Sequence, residues 1–185
     1  MNLIKTNIDD LIVFEPKVWG DERGYFFESF SKKVMQKNGF NFDWVQDNEA
    51  YSERGVLRGL HYQKAPYGQT KLVRVASGEV LDVVVDIRKE SKTFGEWFSI
   101  ILSGTNKKQL LVPKGFAHGY IVLSPTALFL YKVDNVYNQD EEEGIKFDDP
   151  SLGINWILPK DEIVFSNKDS LLPNFENHIS YDLNS

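Results

Sequence analysis

From residue 71 to residue 133 the chain repeats one pattern, a short β-branched or aliphatic run followed by a turn signal. Lys71-Leu72-Val73-Arg74-Val75 stops at Ser77-Gly78-Glu79, and Val80 to Ile87 follows at once. Trp97 to Leu102, Gln109 to Val112, His118 to Leu123 and Ala127 to Val133 come next. Their punctuation is Gly104-Thr105-Asn106, Pro113-Lys114-Gly115 and Ser124-Pro125. Strands this short, recurring every ~8–12 residues, predict a sandwich or barrel. In Val80 to Ile87, Asp82 and Asp86 share one face while Leu81, Val83, Val85 and Ile87 take the other.

The flanks are less regular. Leu11-Ile12-Val13-Phe14 and Val18-Trp19 read as strands around Pro16, with a turn at Gly20-Asp21. Ser31 to Asn38 is the best helix, with Ser31 as its cap and Gly39 as its stop, and it should lie on the outside. After residue 150 the chain is irregular, with short helical turns expected around Pro159 to Val164. With no repeat and no linker, residues 1–185 read as one β-rich domain.

Composition narrows the functions. A net charge of −6 gives no reason to expect a nucleic-acid backbone or an anionic membrane as partner, although a few local cations can still hold a phosphate-bearing small ligand. There is no cysteine, which removes disulfides, thiolate metal sites and cysteine nucleophiles together. No apolar run reaches signal-peptide or membrane-spanning length, so a cytoplasmic location is expected. The acidic run Asp140-Glu141-Glu142-Glu143 reads as a solvated loop.

Chemistry concentrates in Arg54 to Gln63 and Lys71 to Val75, where three arginines, a histidine and a lysine sit among strand-forming residues. Burying such cations unpaired is costly, so they are either solvent-facing or part of a site. His61 and His118 are the informative histidines; His178 lies near a polar C-terminus. Neither heads a pair of histidines one residue apart, since Gln63 follows His61 by two and Gly119-Tyr120 follows His118, so no metal is expected. A general base suits an imidazole better, with Asp169, Asp82 or Asp86 as its orienting carboxylate. Tyr131 is either a core aromatic or a proton donor from an inward strand. Strict alternation would put Arg58 and His61 on opposite faces, so one site holding both requires a bulge, and Gly59 is where it can form.

These residues belong to a set of ordered motifs. They run from Gly20-Asp21-Glu22-Arg23-Gly24 with Glu28, through Gln46-Asp47-Asn48, Val56-Leu57-Arg58-Gly59-Leu60-His61 and Lys71-Leu72-Val73-Arg74. They continue through Val112-Pro113-Lys114-Gly115-Phe116-Ala117-His118-Gly119 and Tyr131-Lys132 to Ser166-Asn167-Lys168-Asp169. In this the chain resembles the dTDP-4-dehydrorhamnose 3,5-epimerases, cofactor-independent enzymes with a jelly-roll cupin fold. The resemblance implies His61 as the base at C3 and C5, Asp169 as its partner, Lys71 on the C4 enolate oxygen and Tyr131 as the acid. It implies Arg58 and His118 at the sugar and diphosphate, helped by Arg23 and Lys168. Glu28, Gln46 and Asn48 would read the nucleotide, Glu142 would sit at its edge, Tyr137 would stack on thymine, and Phe26 joins the substrate contacts.

The resemblance further implies a dTDP-sugar ligand, no cofactor and a homodimer whose N-terminal strands cross to the partner. Thr70, Lys92, Phe147 and Asn167 depart from the usual pattern without removing a catalytic group. They leave open a 3-only or 5-only epimerase of a related sugar. A silent sugar-nucleotide binder would be expected to lack His61, Tyr131 or Lys71, and a metal-dependent cupin would show itself by its metal content.

Overall fold

The computed structural model describes residues 1–182. In chain order its strands are β1 (Asn2–Lys5), β2 (Ile12–Glu15), β3 (Val18–Asp21), β4 (Gly24–Phe27), β5 (Gln46–Glu53), β6 (Leu57–Gln63) and β7 (Lys71–Ser77). They continue with β8 (Glu79–Asp86), β9 (Trp97–Ser103), β10 (Gln109–Val112), β11 (Phe116–Val122), β12 (Thr126–Val133) and β13 (Glu142–Gly144). Two short helices, α1 (Lys32–Lys37) and α2 (Asn167–Ser170), complete the main elements. One sheet has the order β1-β2-β10-β7-β12-β5, the second β13-β6-β11-β8-β9, and β3 pairs with β4 as a separate hairpin.

The two sheets form a jelly-roll sandwich because each contributes an apolar face to one core. Val73, Val75, Leu110, Val112 and Phe129 of the first meet Val80, Val84, Leu102, Phe116 and Val122 of the second. Each such side chain, fully buried, stabilises the fold by roughly 1.5–3 kcal/mol before entropy is counted. The outer faces are covered as well. Phe30, Met35, Phe40, Phe42 and Trp44 seal the first sheet over Phe14, Leu72 and Leu111. Ile145, Phe147, Leu152, Trp156 and Tyr181 seal the second over Leu57, Leu60, Leu81, Val83 and Val85. The alternation expected for β8 therefore holds, and both of its faces lie in a core.

The expected helix forms over Lys32–Lys37, with Ser31 Oγ accepting from the Val34 amide and Met35 buried beneath it. Gly20-Asp21 is not a turn: both residues belong to β3, and the chain reverses at Glu22-Arg23, where Asp21 caps the Arg23 amide at 2.9 Å. The acidic run is not a free loop either. Glu142 and Glu143 enter β13 and pair with Gln63 and Tyr62, while Glu141 and Glu143 hold Lys64 at 3.4 and 3.2 Å.

Candidate active site

On β6 the cross-strand register decides where the functional side chains point. His118 on β11 lies opposite His61 and Tyr120 lies opposite Arg58, so Gly59 and Leu60 together face Gly119. Two residues against one is a β-bulge. The position demands glycine: Gly59 has φ +126°, and a Cβ there would stand 2.5 Å from Gly119 Cα and 2.7 Å from the His118 carbonyl oxygen. Leu57, Leu60 and Tyr62 thereby stay under the C-terminal tail, while Arg58 and His61 both line the cavity between the sheets.

That cavity encloses about 580 Å³, within the range of small-molecule sites. The second sheet supplies Arg58, His61 and His118, and the first supplies Ala50, Lys71, Phe129 and Tyr131. Glu142 closes one side from β13, and Val164, Phe165, Ser166, Lys168 and Asp169 arrive from the tail. The tail is fastened beside β6 by two backbone bonds, Leu57 N–H to the Val164 carbonyl at 2.8 Å and Val164 N–H to the Gly55 carbonyl at 2.9 Å. Ser166 then caps α2 by accepting from the Asp169 amide at 3.1 Å, which places the Asp169 carboxylate against the imidazole.

Of the three carboxylates that could have oriented His61, the structure selects Asp169, whose Oδ1 is 2.6 Å from His61 Nε2. Burial works to raise the Asp169 carboxyl, but the hydrogen bond and charge of His61, with help from Ser166, hold it net below the usual carboxylate range. Asp82 instead grips His118 Nε2 with both oxygens, at 3.0 and 3.1 Å. It is fully buried, and burial pushes its carboxyl up against the pull of His118 and Lys71. Asp86 is taken by Arg88, Ser91 and Thr93.

The facing wall carries the cation and the phenol. Burial lowers the Lys71 ammonium to about 8, against the attraction of Glu142 and Asp82. Burial also raises the Tyr131 phenol, with Arg58 opposing and Glu142 assisting, so it keeps its proton through neutral pH. Over the cavity Glu142 accepts from Tyr137 at 2.5 Å and pairs with Lys168, and its other oxygen lies 4.0 Å from His61 Nδ1. Burial would raise the Glu142 carboxyl, but Lys168, Tyr137 and His61 together draw it down. The bond to Glu142 pushes the Tyr137 phenol up to about 12.

Eight of the residues singled out from sequence thus line one cavity: Arg58, His61, Lys71, His118, Tyr131, Glu142, Lys168 and Asp169. Tyr137 touches it through Glu142. Gln46 and Asn48 bond to each other at 2.7 Å on β5, opposite Val133 and Tyr131, beyond the lining. Arg23, Phe26 and Glu28 do not reach it within this chain: Arg23 pairs with Asp21, and Phe26 is 70% exposed. Among the contributors not singled out, three follow from strand period. Tyr120 and Phe129 stack at 4.1 Å, and Gln63 Oε1 accepts from the Asn138 amide, holding the turn after Tyr137. Each lies two residues along a strand from a chosen residue, so period two would have found it. Among the described residues no group of three or more His, Cys, Asp and Glu side chains is placed to hold a metal ion.

Comparison with known proteins agrees with this geometry. The family model for dTDP-4-dehydrorhamnose 3,5-epimerase matches residues 5–177. The protein of that name from Shigella flexneri is 54% identical over 170 residues, covering 91% of this chain and 93% of its own. The crystal structure of the enzyme from Elizabethkingia anophelis superposes with a TM-score of 0.91 at 47% identity, over 96% of this chain and 97% of that one. The dTDP-6-deoxy-D-glucose-3,5-epimerase from Legionella pneumophila, solved with dTDP-4-keto-L-rhamnose, gives a TM-score of 0.91 at 48% identity, over 95% and 93%. This chain belongs to the dTDP-4-dehydrorhamnose 3,5-epimerase family.

Proposed function

We propose that the chain inverts C3 and C5 of dTDP-4-keto-6-deoxy-D-glucose, yielding dTDP-4-keto-L-rhamnose. The observation that carries this reading is the division of one cavity into a base wall and an acid wall. His61 stands on the second sheet with Asp169 reaching it from α2, and Lys71 and Tyr131 stand on the first. The C4 ketone acidifies both neighbouring C–H bonds. His61 takes the C3 proton, the electron pair moves onto the C4 oxygen, and the Lys71 ammonium stabilises the enolate. Tyr131 then protonates C3 from the other face, His61 releases its proton to solvent and Tyr131 regains one from it, and the same sequence at C5 completes the isomerisation with no net redox change.

Asp169 makes His61 a better base by fixing its Nε2 side, which leaves Nδ1 as the nitrogen free for substrate. Arg58 and Lys168 gather positive charge beside His118 where a diphosphate would lie, consistent with the dTDP-sugar as ligand. Because Glu142 occupies Lys168 and Tyr137 in this structure, those contacts would be exchanged when nucleotide binds.

The same reading extends to assembly. Trp19, Tyr25 and Phe26 are 50%, 60% and 70% exposed on the β3–β4 hairpin, and a homodimer with exchanged N-terminal strands would cover them. It would also bring Arg23, Phe26 and Glu28 to the partner's nucleotide, beside Gln46 and Asn48. Residues 1–185 act as one cupin domain in this account, in the cytoplasm and without a cofactor.

The test is proton exchange in D2O with dTDP-4-keto-6-deoxyglucose, following C3 and C5 separately by NMR. Deuterium at both positions, insensitive to chelator, is expected. Deuterium at one position would indicate a single-site epimerase of a related sugar. Tyr131→Phe should still exchange while forming about 10²-fold less inverted product.

A further inference from the structure

The His118–Asp82 pair is built with more care than a substrate contact requires. Asp82 and His118 face the inter-sheet space from neighbouring strands β8 and β11, where Asp82 pairs with Tyr120 and His118 with Val84. Asp82 lies beneath the cavity lining, fully buried, with both carboxylate oxygens on the inward nitrogen of His118. Lys71 faces the same space from the opposing sheet, on the inner face shared with Val73 and Val75. An ionised carboxylate so deep is costly unless it is matched, and here two potential cations converge on it.

The titratable groups around this cluster come from every wall: Arg58 and His61 on β6, His118 and Tyr120 on β11, Tyr131 on β12 and Glu142 on β13. Glu142 and Asp82 are the two anions that act on Lys71. They are not equivalent. Glu142 sits at the mouth with Tyr137 and Lys168 as partners, contacts that nucleotide binding would rearrange. Asp82 is fixed within a strand that is buried on both faces.

We propose that Asp82 is a positioning residue of the reaction, orienting His118 through Nε2 and holding, fixed in its strand, a carboxylate that favours the ammonium form of Lys71 beside the C4 oxygen. This rests on the epimerase reading for its chemistry, but its electrostatic half stands on the protein alone. When nucleotide draws Glu142 away, Asp82 is the carboxylate left to hold the proton on Lys71. A neutral lysine there would leave the enolate without its counter-charge.

Asp82→Asn keeps the side-chain volume and removes the charge, and Asp82→Ser gives a second, smaller variant where the amide packs badly. In substrate-free protein, the Lys71 13Cε resonance, assigned by its loss in Lys71→Arg, should titrate near 8 in the wild type. In either Asp82 variant it should titrate roughly one pH unit lower or more. The alkaline limb of kcat/KM for C3 and C5 exchange should move down with it. We expect kcat to fall about tenfold with a smaller change in KM, and the limb shift to disappear in the Lys71→Arg background. An unmoved Lys71 titration in a folded Asp82 variant overturns the proposal. Absence of exchange in the wild type would instead overturn the epimerase reading, since the titration uses no substrate.

Discussion

Two histidine–aspartate pairs stand side by side on adjacent strands, with His61 directly opposite His118, yet they are held in different ways. Asp169 comes from a four-residue helix in the tail, 108 positions from its partner, and the His61 side chain is 26% exposed. Asp82 comes from the strand next to its partner, with side chains 7% and 0% exposed. One pair is assembled at the end of the fold and faces the cavity; the other is part of the sheet itself. Their electrostatics differ accordingly: burial works to raise both carboxyls, but at Asp169 the hydrogen bond and charge of His61 outweigh it, whereas at Asp82 burial prevails.

The sharpest way to break this contrast is to remove each imidazole. His61→Ala should abolish exchange at both C3 and C5, by about 10³-fold or more, with a smaller loss of stability than at the other pair, since Ser166 still bonds the Asp169 carboxyl. His118→Ala should show the reverse emphasis. Leaving Asp82 buried without its partner should destabilise the protein by about 3–5 kcal/mol, seen in denaturant unfolding. If His118→Ala unfolded like the wild type, the pair would not be part of what holds the sheet together. Asp169→Asn should reduce exchange about 10²-fold at both carbons while the fold holds, which single-turnover NMR would detect.

The smallest effect is the most discriminating. Asp169 has a lowered folded pKa, so its contribution is present above the unfolded value of 3.8 and is lost as pH falls through the folded one. Asp82 has a raised folded pKa, so the native state takes up a proton before the unfolded chain does, and acidification favours folding through that group. Relative to wild type, Asp82→Asn should therefore lose stability as pH drops from neutral toward 3.8, and Asp169→Asn should gain it only as pH falls further, below 3.8. Melting temperatures across that range would expose a shared direction, which would contradict the difference.

The same contrast explains what sequence could and could not reveal. The strands from β7 to β12 were legible because each obeys a period of two and ends at a turn residue, and Asp82 was placed on its correct face by that rule alone. β1, β5 and β13 were not, because they are short or polar: Gln46 to Glu53 reads as QDNEAYSE and takes strand form through its ladder with β12. Glu142 looked like part of a solvated run because nothing local shows that β6 offers an edge to pair with. The choice among Asp82, Asp86 and Asp169 for His61 was closed to residue-level reading, since it depends on where an irregular tail is fastened. The motifs shared with the epimerase family named Asp169, and the bonds of Gly55 and Leu57 to Val164 provide the physical cause.

The bulge at Gly59 can also be read as an aiming device. Without Gly59 the sequence Leu57-Arg58-Leu60-His61-Tyr62 would still alternate, with the same side chains toward the tail and the same toward the cavity. Because Gly59 and Leu60 together face one residue, Arg58 and His61 span only the interval from Tyr120 to His118, and the additional residue goes into bending and twisting the strand. A chain lacking Gly59 would thus keep every functional group and its spacing along the sheet, but point the guanidinium and the imidazole along the lines of a flatter strand.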